Sequence, residues 1–233
     1  MFVPIHDENS LKSIPFQYIT VSLILINVAV FLLSTVGGTA AEAVASFAVI
    51  PRELFDTSLL PIPIEEQISV KPTELTLFTY MFFHGDVLHL AGNMLFLWVF
   101  GDNVEDAMGH LKFLAFYLIC GAFGGYMHAW MEPGSAIPLI GASGAVAGVI
   151  AAYLMLHPRV RVWVLAFKAI PLRITALFAL GAWVVMQFVM VLLPQTGPVA
   201  WWAHIGGLIA GAALIVVMRR PGVPLFDRHL RVA

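Results

Sequence analysis

Repeated apolar runs of membrane-spanning length are the feature that most limits how this chain can fold. A helix needs about 20 predominantly apolar residues to cross the roughly 30 Å hydrocarbon core of a bilayer. The chain is 60% hydrophobic and only 11% charged, which is outside the range of soluble proteins. Membrane spans are therefore expected at residues 18–34, 78–100, 111–130, 174–193 and 201–218.

One further apolar run is too short to cross the membrane. The run that follows Ser143 and ends at Leu156 gives about 14 helical residues, or roughly 21 Å of helix. The connection before it, residues 131–141, is rich in proline and glycine and is not expected to complete the helix. Irregular backbone at membrane depth is tolerated only where it is buried in protein or lines a watery cavity. We therefore expect a short fourth helix whose first residue, Ser143, is recessed in a hydrated cavity.

Together these runs predict an all-α membrane protein, a bundle of six transmembrane helices. Residues 1–17 are expected to form a short cytoplasmic N-terminal arm, residues 18–218 the six-span domain, and residues 219–233 a basic cytoplasmic tail. The connection at 35–78 is too apolar for a plain linker and is interpreted as an amphipathic segment in the membrane interface. Most of the 12 lysines and arginines fall on the side of the termini, so Ser143 should face outward.

His204 is the ionisable residue that lies inside the predicted sixth span, just beyond Trp201 and Trp202. Ionisable residues inside spans are rare, face the bundle interior and are functional by default. Its depth in the outer half of the membrane is similar to that expected for Ser143. A serine and a histidine at one depth are the parts of a nucleophile and its general base.

Glycine spacing predicts how the serine and histidine helices would meet. Gly207 and Gly211 share the helix face of the histidine, and Gly144 and Gly148 repeat the same spacing after the serine. Such faces let helix backbones approach closely in lipid. Alone, either glycine pair indicates only helix packing. With a serine at the start of one helix and a histidine near the start of the other, close packing would bring the two side chains together.

The second span offers hydrogen-bond donors for an oxyanion. His89 and Asn93 are four residues apart and therefore lie one above the other on a helix face. The backbone N–H of Ser143, at a helix start, is a further donor without an internal partner. One such donor is worth about 3–4 kcal/mol in related acyl-transfer chemistry. His84 lies in the same stretch, and we expect it to support the cluster.

Other polar residues are assigned structural roles. Asp86 is interpreted as a helix N-cap, Glu105 as a hydrogen-bonding anchor and His128 as an interfacial residue. His84 and His89 lie about 140° apart on a helix, which suits a shared metal poorly. The sequence therefore implies no metal and no cofactor. A net charge of −2 gives no nucleic-acid signature, and the single cysteine cannot form an internal disulfide.

The combined motifs resemble the rhomboid intramembrane serine proteases. The likeness runs from Tyr18 to Met218 and is carried by these residues in order: His84, His89, Asn93, Glu105, Gly109, Gly141, Ala142, Ser143, Gly144, His204, Gly207 and Gly211. The resemblance implies a rhomboid-like bundle with a membrane-embedded first external loop. Many members carry an aromatic residue where this chain has Ala147, and the frequent Trp-Arg pair of the first loop is absent.

The same resemblance implies an endopeptidase that cleaves single-span membrane proteins near their outward-facing ends. Ser143 would be the nucleophile and His204 its base, without a third carboxylate. Asn93, His89 and the Ser143 N–H would form the oxyanion hole, and His84 would be a structural or water-organising residue.

Two alternatives stay open, a catalytically inactive rhomboid-like binder of transmembrane helices and a histidine-lined transporter that relays protons through His84, His89 and His204. Against a transporter, the predicted spans are expected to lack buried carboxylates, and no inverted repeat is evident in the sequence. Retention of both Ser143 and His204 argues against an inactive binder. The short polar arm, without an organelle presequence, favours a bacterial plasma membrane with both termini cytoplasmic.

Overall fold

The structure, a computed structural model, describes residues 2–55, 73–166, 170–193, 197 and 199–227. In chain order its elements are β1 (Phe2–Asp7), α1 (Tyr18–Val36), α2 (Ala40–Phe47), α3 (Pro51–Phe55), α4 (Thr76–Thr79), α5 (Val87–Met108), α6 (His110–Met131), α7 (Ser143–Leu156), β2 (Arg161–Ala166), β3 (Ile170–Thr175), α8 (Ala176–Leu192) and α9 (Trp201–Met218). Short 3₁₀ turns at Thr73–Leu75 and Tyr80–Phe82 flank α4.

Four of these helices, α1, α5, α6 and α9, are long and apolar enough to cross a membrane. The shorter apolar helices α7 and α8 accompany them, with 14 and 17 residues. The protein is therefore an integral membrane protein that is mostly helical. The first and last spans begin at Tyr18 and Trp201, as the sequence predicts.

The predicted second span is wrong in its bounds. The chain leaves helical geometry after Phe82, and α5 begins only at Val87. Asp86 is the N-cap, as predicted, because its carboxylate accepts a hydrogen bond of 2.9 Å from the His89 N–H. That bond lowers the pKa of Asp86. Helix α5 then continues to Met108, so the acidic stretch predicted as a loop after Phe100 is helical.

The all-α prediction is incomplete because the described residues also contain a three-stranded antiparallel sheet in the order β1-β2-β3. The predicted N-terminal arm supplies β1, and the loop between α7 and α8 supplies the β2–β3 hairpin. Phe2 pairs with Ala166 and Asp7 with Val162. The outer face carries an ion pair in which Arg173 donates to Glu8 through Nε at 2.6 Å. Lys168 of that loop lies outside the described residues.

Carboxylates at the sheet end of the bundle fix the N-terminal segment on the helices. Asp106 accepts backbone N–H bonds from Lys12, Ser13 and Ile14 at 3.0, 2.6 and 2.7 Å. Glu105 is the hydrogen-bonding anchor that the sequence predicts. It accepts the backbone N–H groups of residues 19 and 20 at 3.0 and 2.8 Å. The N–H groups of residues 19 and 20 lie in the first turn of α1, where they would otherwise have no partner.

Two more carboxylates tie strand and tail to α7. Asp7 is buried and accepts a 2.5 Å hydrogen bond from the Tyr153 hydroxyl, and burial raises the pKa of Asp7 above its ordinary value. Asp227 bonds His157 Nδ1 at 3.1 Å and the Arg159 N–H at 3.1 Å. The described part of the predicted tail, residues 219–227, is therefore held against α7; residues 228–233 lie outside the described part of the chain.

The first connection folds back on the third. Val49 and Leu139 form an antiparallel bridge, and the Arg52 N–H donates to the Ser135 carbonyl at 3.1 Å. The rings of Phe47 and Phe83 stack with centroids 5.1 Å apart. The proposed membrane-embedded character of this connection stays a prediction, and its residues 56–72 lie outside the described part of the chain.

Helix α7 lies at the centre of the bundle. Every residue from Gly144 to Tyr153 is buried, because α5, α6 and α9 pack around it. By contrast, α8 exposes large apolar side chains such as Phe178 and Leu192 at 72% and 84%. The serine helix is thus held by protein on most sides, while α8 has an exposed apolar face.

Candidate active site

Helices α7 and α9 pack in parallel with their backbones in direct contact. A Cβ built on Gly207 would lie 1.9 Å from the Gly144 carbonyl oxygen, and one on Gly211 would lie 2.3 Å from that of Gly148. Gly207 meets Gly144, and Gly211, four residues later, meets Gly148, which is also four residues later. The two helices therefore run in the same direction. The glycine faces singled out in the sequence therefore meet each other.

This packing brings the starts of the two helices to the same end of the bundle. Ser143 is the first residue of α7 and is partly exposed, whereas His204 is the fourth residue of α9 and is 8% exposed. A Cβ on Gly144 would lie 3.3 Å from the Ala203 carbonyl oxygen, so the residues beside the serine and the histidine touch. The structure therefore holds the two side chains on adjoining backbone, on one flank of the bundle.

The His204 ring is oriented by a residue that sequence reasoning missed. Its Nδ1 lies 2.8 Å from Oε1 of Gln187, a fully buried residue of α8. The rings of Trp183 and Trp201 lie against it, with centroids 5.8 and 5.9 Å away. The sequence did contain a signal for Gln187, because it is an amide inside an otherwise apolar predicted span. Polar residues inside membrane spans are rare and often mark functional positions.

The donors predicted for an oxyanion converge on the backbone just before Ser143. A Cβ on Gly141 would lie 2.6 Å from His89 Nε2 and 3.8 Å from Asn93 Nδ2. The φ of Gly141 is +113°, a backbone conformation that residues with a side chain rarely adopt. Glycine is therefore required both by this conformation and by the close approach of His89. His89 and Asn93 therefore share one face of α5 that points at the start of α7.

His84 holds this cluster together. Its Nε2 lies 3.0 Å from Asn93 Nδ2 and 3.4 Å from the Ala142 backbone N. Both partners are donors, so His84 Nε2 accepts, and its ring fixes the Asn93 amide beside the serine loop. The His89 ring packs edge-on against it at 5.0 Å. His84 therefore lies between Asn93 and the loop before the serine, and its supporting role stays a prediction.

Other candidates lie apart from this cluster or differ from expectation. His128, predicted to be interfacial, is buried at 7% exposure in α6. Cys120 is buried where α6 meets Gly148. Among the described residues, no group of three or more histidine, cysteine, aspartate or glutamate side chains could hold a metal ion.

The grouped side chains can supply the parts of an acyl-transfer reaction. Ser143 offers a hydroxyl, and His204 offers a ring whose Nδ1 is already occupied, which leaves Nε2 as the proton acceptor. Asn93, His89 and the first N–H groups of α7 offer hydrogen bonds to a developing negative charge. The helix N-terminus adds a favourable dipole for that charge.

Comparison with known proteins gives a consistent family match. Residues 72–221 match the model of the Rhomboid domain. "RHOMBOID-like protein 12, mitochondrial" of Arabidopsis thaliana is 29% identical over 155 residues, which are 59% of this chain and 44% of that protein. "Rhomboid protein 1, mitochondrial" of Saccharomyces cerevisiae is 28% identical over 134 residues, 56% of this chain and 38% of that protein.

A human relative, "Presenilin-associated rhomboid-like protein, mitochondrial", is 31% identical over 139 residues, 56% of this chain and 34% of that protein. The chain therefore spans less than half the length of these relatives. Their mitochondrial names give no support to the expectation of a bacterial plasma membrane.

Proposed function

This chain belongs to the rhomboid family, and from that premise we propose that it is an intramembrane serine endopeptidase with a Ser143–His204 dyad. The observation that carries the proposal is the parallel backbone contact of α7 and α9, which keeps the serine and the histidine on adjoining turns. A helix binder would need no such pairing of a hydroxyl with an oriented imidazole.

The first half of the reaction is acyl transfer to the enzyme. His204 Nε2 accepts the Ser143 hydroxyl proton as Oγ attacks the scissile carbonyl carbon. The tetrahedral oxyanion receives hydrogen bonds from the Ser143 N–H, Asn93 Nδ2 and His89. When the C–N bond breaks, the imidazolium gives its proton to the leaving amine, and the acyl group stays on Oγ as an ester.

The second half is hydrolysis of that ester. A water molecule attacks the ester carbonyl while its proton passes to His204 Nε2, and the same donors hold the second oxyanion. The C–Oγ bond then breaks, and the proton returns to Ser143. Since Ser143 is partly exposed, water can reach it at the start of α7.

The substrate class follows from the site's place in a membrane domain. We propose that the substrates are single-span membrane proteins, cut near the outward-facing ends of their transmembrane segments. A helix hides its carbonyl groups in hydrogen bonds, so a substrate must unwind locally before attack. Small and helix-breaking residues near the cut should therefore be favoured. Both termini of this chain would then be cytoplasmic, by the positive-inside rule.

Labelling with a fluorophosphonate tests the dyad directly. The purified protein in detergent should form a covalent adduct on Ser143 and should cleave a single-span model substrate. Ser143→Ala and His204→Ala should lose both activities while keeping the melting temperature. Ser135→Ala, in the connection before α7, is the matched control and should label like the unaltered protein.

The outcomes separate the candidate functions. A Ser143→Ala variant that still cleaves the substrate would end the dyad proposal. An unaltered protein that neither labels nor cleaves, yet retains a bound transmembrane peptide, would be an inactive helix binder. Proton flux through reconstituted vesicles that is lost in His204→Ala would instead favour the transporter.

A further inference from the structure

We propose that Gln187 is a positioning residue for His204, which fixes both the tautomer and the direction of the imidazole. The inference rests on the proposed function, because it assigns what aims the base of the same dyad. It also explains how His204 can be oriented although the family's frequent aromatic residue is replaced by Ala147.

The amide of Gln187 has only one orientation that satisfies its surroundings. Its Nε2 donates to the carbonyl oxygen of Trp183, one turn earlier in α8, at 2.9 Å. Its Oε1 is therefore the atom directed at His204 Nδ1, 2.8 Å away. Since Gln187 is fully buried, water cannot replace either partner, and reversing the amide would place Oε1 against the Trp183 carbonyl oxygen, two acceptors with no proton between them.

This orientation determines which ring nitrogen of His204 carries the proton. A carbonyl oxygen can only accept, so Nδ1 must be protonated in the neutral ring. Nε2 is then left with its lone pair, which is the state that a general base for Ser143 needs. The opposite tautomer would present an N–H to the hydroxyl and would be inactive as a base.

The direction of the ring comes from α8 and α9, not from α7. Ala147 of α7 is fully buried against Gly207, where a Cβ would be only 3.2 Å away, so no ring fits there. The flat faces that confine His204 are those of Trp183 and Trp201. Trp183 also supplies the carbonyl that holds the Gln187 amide, so one turn of α8 both orients and confines the base.

An amide suits this place better than a carboxylate on energetic grounds. The site is buried, and an ion there would lose its hydration without full compensation. A neutral acceptor fixes the tautomer without that cost. Gln187 therefore does the orienting work that a carboxylate does in a three-residue serine protease site.

Gln187→Met is the sharpest test, because methionine matches glutamine in length and removes the acceptor. We expect kcat on a single-span substrate to fall about 10-fold or more, which is part of the 10²–10⁴-fold that a positioned base supplies. KM should stay within about twofold, because Gln187 does not contact substrate. Gln187→Glu keeps an acceptor for Nδ1 and should retain more activity than Gln187→Met. Val185→Met, on the exposed side of the same helix, is the control and should be neutral.

Nitrogen NMR of the histidine-labelled protein gives a readout that does not require activity. The ring signals that disappear in His204→Ala belong to His204, and they should show a protonated Nδ1 and an unprotonated Nε2. In Gln187→Met the two tautomers should mix.

A proton on Nε2 in the unaltered protein, or an unchanged tautomer and kcat in Gln187→Met, would overturn the assignment. Failure of the protease proposal would look different, since Ser143 would then not label in any variant while the tautomer could still be measured.

Discussion

Replacing Gly207 by alanine should separate the two helices that carry the dyad. The added Cβ would lie 1.9 Å from the Gly144 carbonyl oxygen and 2.8 Å from its carbonyl carbon. Both atoms belong to the backbone of α7, so no side chain can rotate to make room. Ordinary contact begins at 3.4 Å, which requires a local shift of about 1.5 Å between α7 and α9.

The expected cost follows from two opposing effects. Overpacking of a tight interior costs about 1–3 kcal/mol, and a backbone clash this short belongs at the upper end. The better helix propensity of alanine returns up to about 1 kcal/mol. A net loss of about 2 kcal/mol should lower the melting temperature by roughly 4–8 °C in a chain of this size. A displacement of about 1 Å at the dyad should also lower the rate about 10²-fold.

The measurements are thermal unfolding in detergent and the rate of fluorophosphonate labelling, with Gly181→Ala as the matched control. Gly181 is also inside a helix, but its nearest neighbour would be in ordinary contact at 3.9 Å. That control should keep the labelling rate and match or exceed the unaltered melting temperature. If Gly207→Ala behaves like Gly181→Ala in both measurements, the backbone contact does not hold the site together.

Three further predictions concern separate groups. Asn93→Ala should lower kcat by around 10²-fold with little change in KM; an unchanged kcat would remove Asn93 from the oxyanion hole. Asp106→Asn should lose at least one of three charged hydrogen bonds and about 2 kcal/mol of stability, seen as a lower melting temperature; a midpoint equal to the unaltered protein's would contradict this. The raised pKa of Asp7 means that the folded state favours the protonated carboxyl group. The stability of the protein should therefore fall as the pH rises above the ordinary pKa of an aspartate and through the raised pKa of Asp7. Asp7→Asn cannot ionise, so its advantage in melting temperature should grow over that range, and parallel curves for the two proteins would refute it.

Features set by helix periodicity could be predicted from the sequence. The spacing of Gly144 and Gly148, and of Gly207 and Gly211, places each pair on one face whatever the rest of the fold does. His89 and Asn93 share a face for the same reason. These local rules place residues on the faces of single helices, because each rule concerns residues a few positions apart.

Features set by distant partners could not be predicted in the same way. Strand β1 contains Pro4 and shows no clean alternation, and its partner lies more than 150 residues later. The break at 83–86 was signalled by His84, Gly85 and Asp86, and an N-cap at Asp86 already implied a helix start at Val87; the span predicted at 78–100 did not use that signal. Gln187 lies 17 residues before His204 on a different helix, so no periodic rule connects them.

The pairing of β1 with β2 limits the order in which the protein can fold during its synthesis. Strand β1 is synthesised before its partner strand, and Phe2 must wait for Ala166, 164 residues later, before it can pair. At about 5–20 residues per second, that delay is roughly 8–30 s. During that time the helices up to α7 enter the bilayer while an unpaired strand remains beside its surface. The pairing of β1 with β2 can form only after the serine helix has been synthesised, so a chain that stalls earlier keeps an unpaired strand, whose free N–H and C=O groups can pair with another chain.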